Sequence, residues 1–304
     1  MTKRERRQFF TGLGFTSLWI VGLGLFTAYP VLASLYYSFC DYSILKSPVW
    51  CGLSNYTELF SDDLFWLSLK NTLIYAGVSV PLGAVVALSL ALLLNQDVRG
   101  RPLFRVLFYL PSIVPLVAAS MLWMWIFNGQ VGLLNWVLTP LLEPFGLTPP
   151  GWLVDPAWAK SALIIMSLWG TGNAMVIYLA GLQNVPRELY EAAEIDGASG
   201  FRRFWHVTLP QLAPVVYFNV VMSLIGALQI FTQAIVMSSA ASGGTGTEMD
   251  GFPARSTLFY TMHLFATAFY DLRMGYASAM AYVLFLIIAG LTWLATRVSR
   301  DRLN

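Results

Sequence analysis

Apolar residues fall in six long blocks along this chain, and polar residues gather between them. The blocks run roughly over 15–39, 72–94, 104–127, 162–183, 214–237 and 276–297. Each reaches the ~20 mainly apolar residues that a helix needs to cross the hydrocarbon core. Backbone polar groups cannot stay unpaired in hydrocarbon, so such blocks form helices that satisfy their own hydrogen bonds, with Gly and Pro tolerated inside them. Short alternating strands, the mark of an outer-membrane barrel, are missing from the pattern. The expectation is an all-α membrane protein, six transmembrane helices in a single domain over 1–304. A short basic turn, Gln96–Pro102, joins the second and third helices and implies an antiparallel hairpin. The stretch 184–210, between the fourth and fifth, carries helical patterning of its own.

Composition sharpens this picture. Of 304 residues, 57% are hydrophobic and only 11% charged. A soluble domain carries about 25% charged residues, so this surface could not be covered with polar groups in water. A soluble globular protein, a disordered chain and a collagen are all excluded. The net charge of +2 is too small to suggest a nucleic-acid partner. Position matters more than the total. Thirteen of the 18 Lys and Arg lie on one set of connections: Lys3, Arg4, Arg6, Arg7, Arg99, Arg101, Arg105, Arg187, Arg202, Arg203, Arg297, Arg300 and Arg302. The opposite connections hold Lys46, Lys70, Lys160, Arg255 and Arg273. Basic connections stay in the cytoplasm, which predicts that both termini and 184–210 are cytoplasmic.

Lys3–Arg7 followed by an apolar run ending near Val31-Leu32-Ala33 imitates a secretory signal. That run exceeds the ~7–15 residues of a signal core, and five more blocks follow, so it reads as an uncleaved first span. Cys40 and Cys51 share the first outward loop, where either a disulfide or two free thiols is compatible with the compartment. Metal-ligand spacing, a phosphate-binding Gly-rich loop and a nucleophile elbow are all lacking. His206 and His263 fall on opposite sides of the membrane by this topology. The chain carries no recognisable catalytic chemistry of its own.

Within 184–210, Pro186 suits a first helical turn, and Glu188 to Ile195 favour helix. Gly197 can take the left-handed conformation that ends a helix. Ser199 can cap a second helix with an apolar face of Phe201, Phe204 and Trp205, which Pro210 is expected to end. An amphipathic pair lying flat on the membrane is one reading. Four acids, Glu188, Glu191, Glu194 and Asp196, would be repelled by anionic lipid, and a docking surface for a soluble partner accounts for them better.

Glu191-Ala192-Ala193, three residues, Gly197, nine residues and Val207-Thr208-Leu209-Pro210 resemble the "EAA loop" of ABC-importer permeases, with Val207 standing for isoleucine. Gly52–Tyr56, Asn71–Leu73, Arg99–Arg101, Tyr109–Pro111, Gly132–Asn135, Ala180–Gln183 and Gly275–Ala279 look like the carbohydrate-uptake branch. The chain is similar to the first, maltose-type F permease of that branch in a compact six-span form. It departs at Gly243-Gly244-Thr245, where the family has Gly-Gly-Pro, and over Gly246–Pro253.

The resemblance implies half of the translocation pathway of an ATP-driven importer in a bacterial or archaeal cytoplasmic membrane. The implied partners are a second permease, an ATPase dimer, an extracytoplasmic solute-binding protein, a sugar and membrane lipid. This chain would hold no cofactor; ATP and Mg would sit in the ATPase. Coupling would fall to Glu188, Glu191, Ala192, Ala193, Asp196, Gly197 and Phe201.

Polar groups inside spans are the pointers to a solute path: Trp169–Asn173 in the fourth, and Asn219, Ser223, Gln229, Thr232 and Gln233 in the fifth. Placed against the maltose-type subunit, Ser223, Gly226, Ala227 and Ile230 fall at its sugar site, and Asn173 at a comparable level. The expected path residues are therefore Gly172, Asn173, Ser223, Gly226, Ala227, Gln229, Ile230 and Gln233. Hydrogen-bonding glue between helices is the competing role for each of them. No ionisable residue lies in the central part of any span, which disfavours a charged substrate such as glycerol phosphate. A polytopic glycosyl- or lipid-transferring enzyme would need clustered acids or histidines at a membrane face. Only 184–210 has clustered acids. Outside, Leu258, Phe259, Phe265 and Phe269 are expected on a short interfacial helix over 256–271.

Overall fold

The structure, a computed structural model, describes residues 2–97, 99–241 and 249–303. The departures at 243–248 lie outside the described residues. The chain divides into two compact units, one formed by residues up to Asp62 with Leu264–Leu286, the other by Asp63–His263 with Ile287 onward.

In the first unit, α1 (Lys3–Leu23) opens on a capping box: Thr2 Oγ1 accepts from the Glu5 amide and the Glu5 carboxylate accepts from the Thr2 amide. A wide turn at Gly24–Ala28 leads into α2 (Tyr29–Ser38). The loop after α2 is not helical throughout. It contains an antiparallel hairpin of β1 (Cys40–Ser43) and β2 (Lys46–Trp50), then α3 (Ser54–Ser61). Cys40 pairs with Trp50, while the Cys51 amide bonds the Phe39 carbonyl, so the two cysteines occupy successive rungs and point to opposite faces. Both are free thiols. The Asn55 amide ties this loop by donating to the Ser38 and Cys40 carbonyls at 3.0 and 2.9 Å.

The second unit begins with α4 (Asp63–Asn95), then α5 (Arg101–Tyr109), α6 (Leu116–Ile126) and α7 (Leu133–Leu142). Next come α8 (Pro156–Trp169), α9 (Gly172–Gln183), α10 (Arg187–Ile195), α11 (Gly200–Arg203), α12 (Leu209–Leu228) and α13 (Thr232–Ala241). α14 (Tyr260–Phe269) and α15 (Met274–Leu303) each run across the division between the units. One apolar core gathers Tyr75, Leu163, Leu228, Phe259 and Met262; a second gathers Ala87, Ala91, Met175, Tyr178 and Leu212.

The spans depart from six simple rods. Among the described residues, four helices are long and apolar enough to cross a membrane unbroken: Lys3–Ser38, Asp63–Asn95, Gly200–Leu228 and Met274–Arg297. The third expected span bends by 100° between Ile113 and Leu116, and the fourth by 47° between Trp169 and Gly172. Pro111 and Pro115 withhold backbone donors at the first bend, and Gly170 loosens the second. The fifth span is displaced. Its helix starts at Gly200 and stops at Leu228, so Pro210 does not end the second loop helix.

A wide turn at Phe204–Thr208 carries the chain past that proline, as Gly24–Ala28 does before Pro30. Proline lacks the N–H and crowds the carbonyl four residues back, and a wider turn moves that carbonyl aside. Leu258 and Phe259 are core residues rather than interfacial ones, whereas Phe269 is exposed.

Candidate translocation cavity and coupling loop

The helix break between α8 and α9 borders a cavity of about 470 Å³. α4 contributes Tyr75, Ser79 and Gly83; the α8–α9 break contributes Ser167, Gly170, Thr171 and Asn173. α12 adds Asn219, Ser223, Gly226 and Ala227, and Gln233 enters from α13. Tyr75 lines the cavity together with Ser79, Ser167 and Gln233. Thr171 does not cap α9; its hydroxyl donates back to the Leu168 carbonyl at 2.8 Å, leaving the first α9 amides without a side-chain acceptor. None of the lining residues is Asp, Glu, Lys, Arg or His. The surface is neutral, rich in hydroxyl and amide groups, and bordered by Tyr75, Tyr178 and Phe218. A second hollow of about 370 Å³, lined by Pro111, Ser112 and Trp169, shares Asn173 and Gln233 with the first.

At the other end of α9, α10 and α11 stand out as a helix–turn–helix. Gly197 has φ +71°, its amide donates to the Glu194 carbonyl, and the Ala198 amide donates to Ala193. Those two bonds form a Schellman stop, in which a left-handed glycine closes the helix end. Ser199 caps α11 on the Arg202 amide. Burial is slight here: α10 has no buried residue, and Ile195 and Phe201 are 87% and 74% exposed. Glu188, Glu191, Ala192 and Asp196 are exposed with them, while Ala193 borders a hollow with Arg202, Arg203 and His206. Apolar side chains and four acids are thus exposed together on this loop. From Gly200 the backbone stays helical to Leu228, so the loop and the cavity wall share one rod about 43 Å long.

Residues 79–303 match the family model described as binding-protein-dependent transport system inner membrane component. The chain belongs to this family. Among its curated relatives is YesP of Bacillus subtilis (strain 168), a probable ABC transporter permease protein, 40% identical over 97% of this chain and 92% of the relative. The lactose transport system permease protein LacF of Rhizobium radiobacter is 37% identical over 92% and 91%. The trehalose/maltose transport system permease protein MalF of Thermococcus litoralis is 34% identical over 91% and 90%. Among solved structures, a bacterial alginate ABC transporter in complex with an alginate pentasaccharide-bound periplasmic protein matches with TM-score 0.83 and 20% identity, covering 99% and 98% of the two chains. That likeness establishes the fold.

Within this permease fold the expected path residues separate into two groups. Asn173, Ser223, Gly226, Ala227 and Gln233 meet at the cavity. Gly172 sits beside it as a spacer: a Cβ there would lie 2.3 Å from the Phe108 carbonyl oxygen. Ile230 is buried in the apolar core, and Gln229 is exposed on the turn after α12, outside the cavity lining. The path assignment assumed a continuous helix to Met237; the break after Leu228 turns both residues away. Tyr75 and Ser79 were missed. Their spacing of one helical turn within an apolar block was the available signal.

Proposed function

We propose that this permease is one of two membrane subunits of an ATP-driven importer of a sugar or oligosaccharide. The observation that carries the reading is the neutral, hydroxyl- and amide-lined cavity, joined by an unbroken helix to the exposed acidic loop. Sugar hydroxyls need both donors and acceptors, which Asn173, Asn219 and Gln233 offer together, and Tyr75 adds a ring face beside them. A charged solute would enter an uncompensated site. The lactose and trehalose/maltose names of the relatives support a saccharide substrate.

Energy comes from a separate ATPase dimer that binds ATP and Mg, docks on Glu188, Glu191, Ala192, Ala193, Asp196, Gly197 and Phe201, and lies in the cytoplasm with both termini. A second permease completes the pathway, and a solute-binding protein delivers sugar from outside the cytoplasmic membrane. The test is purification of the complex from membranes. An ATPase and a second permease should co-elute, with hydrolysis rising severalfold on addition of the binding protein loaded with sugar. Elution of the chain without an ATPase would reject the reading.

A further inference from the structure

Among the described residues, α10 is held to the rest of the second unit by few side-chain bonds. Glu194 meets Arg203 at 3.5 Å, an exposed pair within the loop itself. The other is the Tyr190 hydroxyl, 3.0 Å from Thr208 Oγ1. Thr208 is buried, 5% exposed, in the wide turn that precedes Pro210. Its hydroxyl also reaches the Arg203 carbonyl, at 3.5 Å. One hydroxyl carries one proton, so with Thr208 donating to Arg203, Tyr190 is the donor to Thr208. Thr208 lies on the rod that ends at the cavity: Ser223 is 15 residues further on, about 22 Å along the helix axis.

We infer that Tyr190 and Thr208 form a latch that fixes α10 to the fifth span, so that displacement of the loop is transmitted to the cavity wall. Both are positioning residues, and the inference rests on the coupling role proposed above for this loop. Without the bond, α10 would turn about its Gly197 hinge and the rod would not follow. The wide turn makes the attachment matter, because a non-standard turn is the place where a helix yields most readily.

The test uses the complete transporter in proteoliposomes, measuring sugar taken up per ATP hydrolysed. Tyr190→Phe keeps the ring and removes the hydroxyl; Thr208→Val keeps the shape and removes its partner. Each should lower the uptake-to-hydrolysis ratio at least threefold at unchanged complex yield. The double variant should be no worse than either single one, and Thr208→Ser should restore the ratio. An unchanged ratio in Tyr190→Phe, additive losses, or losses that merely follow complex yield would overturn the latch. A wild-type complex without ATP-dependent uptake would instead overturn the function proposed above.

Discussion

Gly172 and Gly226 stand on neighbouring walls of one region, and replacing each by alanine should have opposite consequences. At Gly172 the added methyl would sit 2.3 Å from the Phe108 oxygen and 2.9 Å from Tyr109 Cα. Both obstacles are backbone atoms, so no rotamer change relieves them, and α5 must shift away from α9. Overpacking of this kind costs about 1–3 kcal/mol, and the rigid obstacle places Gly172→Ala at about 2–3. Gly226 has nothing within 4 Å of its would-be Cβ. There, in the last turn of α12, alanine meets no obstacle and narrows the cavity. The assay is thermal unfolding of the purified complex beside sugar uptake by the same preparation. At about 2–4 °C per kcal/mol, Gly172→Ala should unfold roughly 4–12 °C lower. Gly226→Ala should keep its unfolding temperature while uptake changes. Equal unfolding temperatures for Gly172→Ala and wild type would refute the close approach of α5 and α9.

Three further outcomes follow from local geometry. The Asn71 side chain donates to the Arg255 and Leu258 carbonyls at 3.0 Å each and accepts from Lys160 at 2.9 Å; Asn71→Leu should cost about 2–4 kcal/mol, read as a lower unfolding temperature, because a buried carbonyl loses its donor. Gly197→Ala meets no neighbour but forces an L-residue to φ +71°, so helix-end destabilisation of about 1–2 kcal/mol and weaker ATPase retention are expected, checked by co-purification. A cysteine near Asn135, at exposed Gln130, should react with an impermeant thiol reagent in intact cells and one at Ser199 only after permeabilisation; labelling of Ser199 in intact cells would reverse the proposed orientation.

The sequence revealed the membrane blocks and the loop more readily than the breaks. Hydropathy reports where a chain is apolar and is blind to a bend that keeps it so. The 100° turn before Leu116 therefore lay hidden inside one apolar block, although Pro111 and Pro115 were in plain view. Pro210 misled in the opposite direction. A proline ordinarily ends a helix, but the wide turn at Phe204–Thr208 absorbs it and extends the rod from Gly200. At the cavity, Ser223, Gly226 and Ala227, placed by resemblance to the maltose-type subunit, converge because they share one face of α12. Gln229 and Ile230 lie past the helix end, where periodicity no longer predicts direction. Tyr75 was overlooked because an aromatic ring in an apolar block reads as packing, and it gains meaning only on the cavity wall it shares with Ser167 and Gln233. The hairpin at Cys40–Trp50 is short and its second strand is fully exposed, so no core pattern announced it.

The central claim is that sugar crosses the membrane through the cavity among α4, α8, α9 and α12. Ser223 is exposed on its wall, so a large side chain there can fill the space without entering the packed core. The decisive measurement is ATP-dependent uptake of labelled sugar by proteoliposomes carrying the Ser223→Trp complex, with hydrolysis and unfolding temperature followed in parallel. The account predicts that uptake falls at least tenfold while the complex assembles, unfolds at the wild-type temperature and still hydrolyses ATP. Wild-type uptake by an intact Ser223→Trp complex would contradict it and place the path elsewhere.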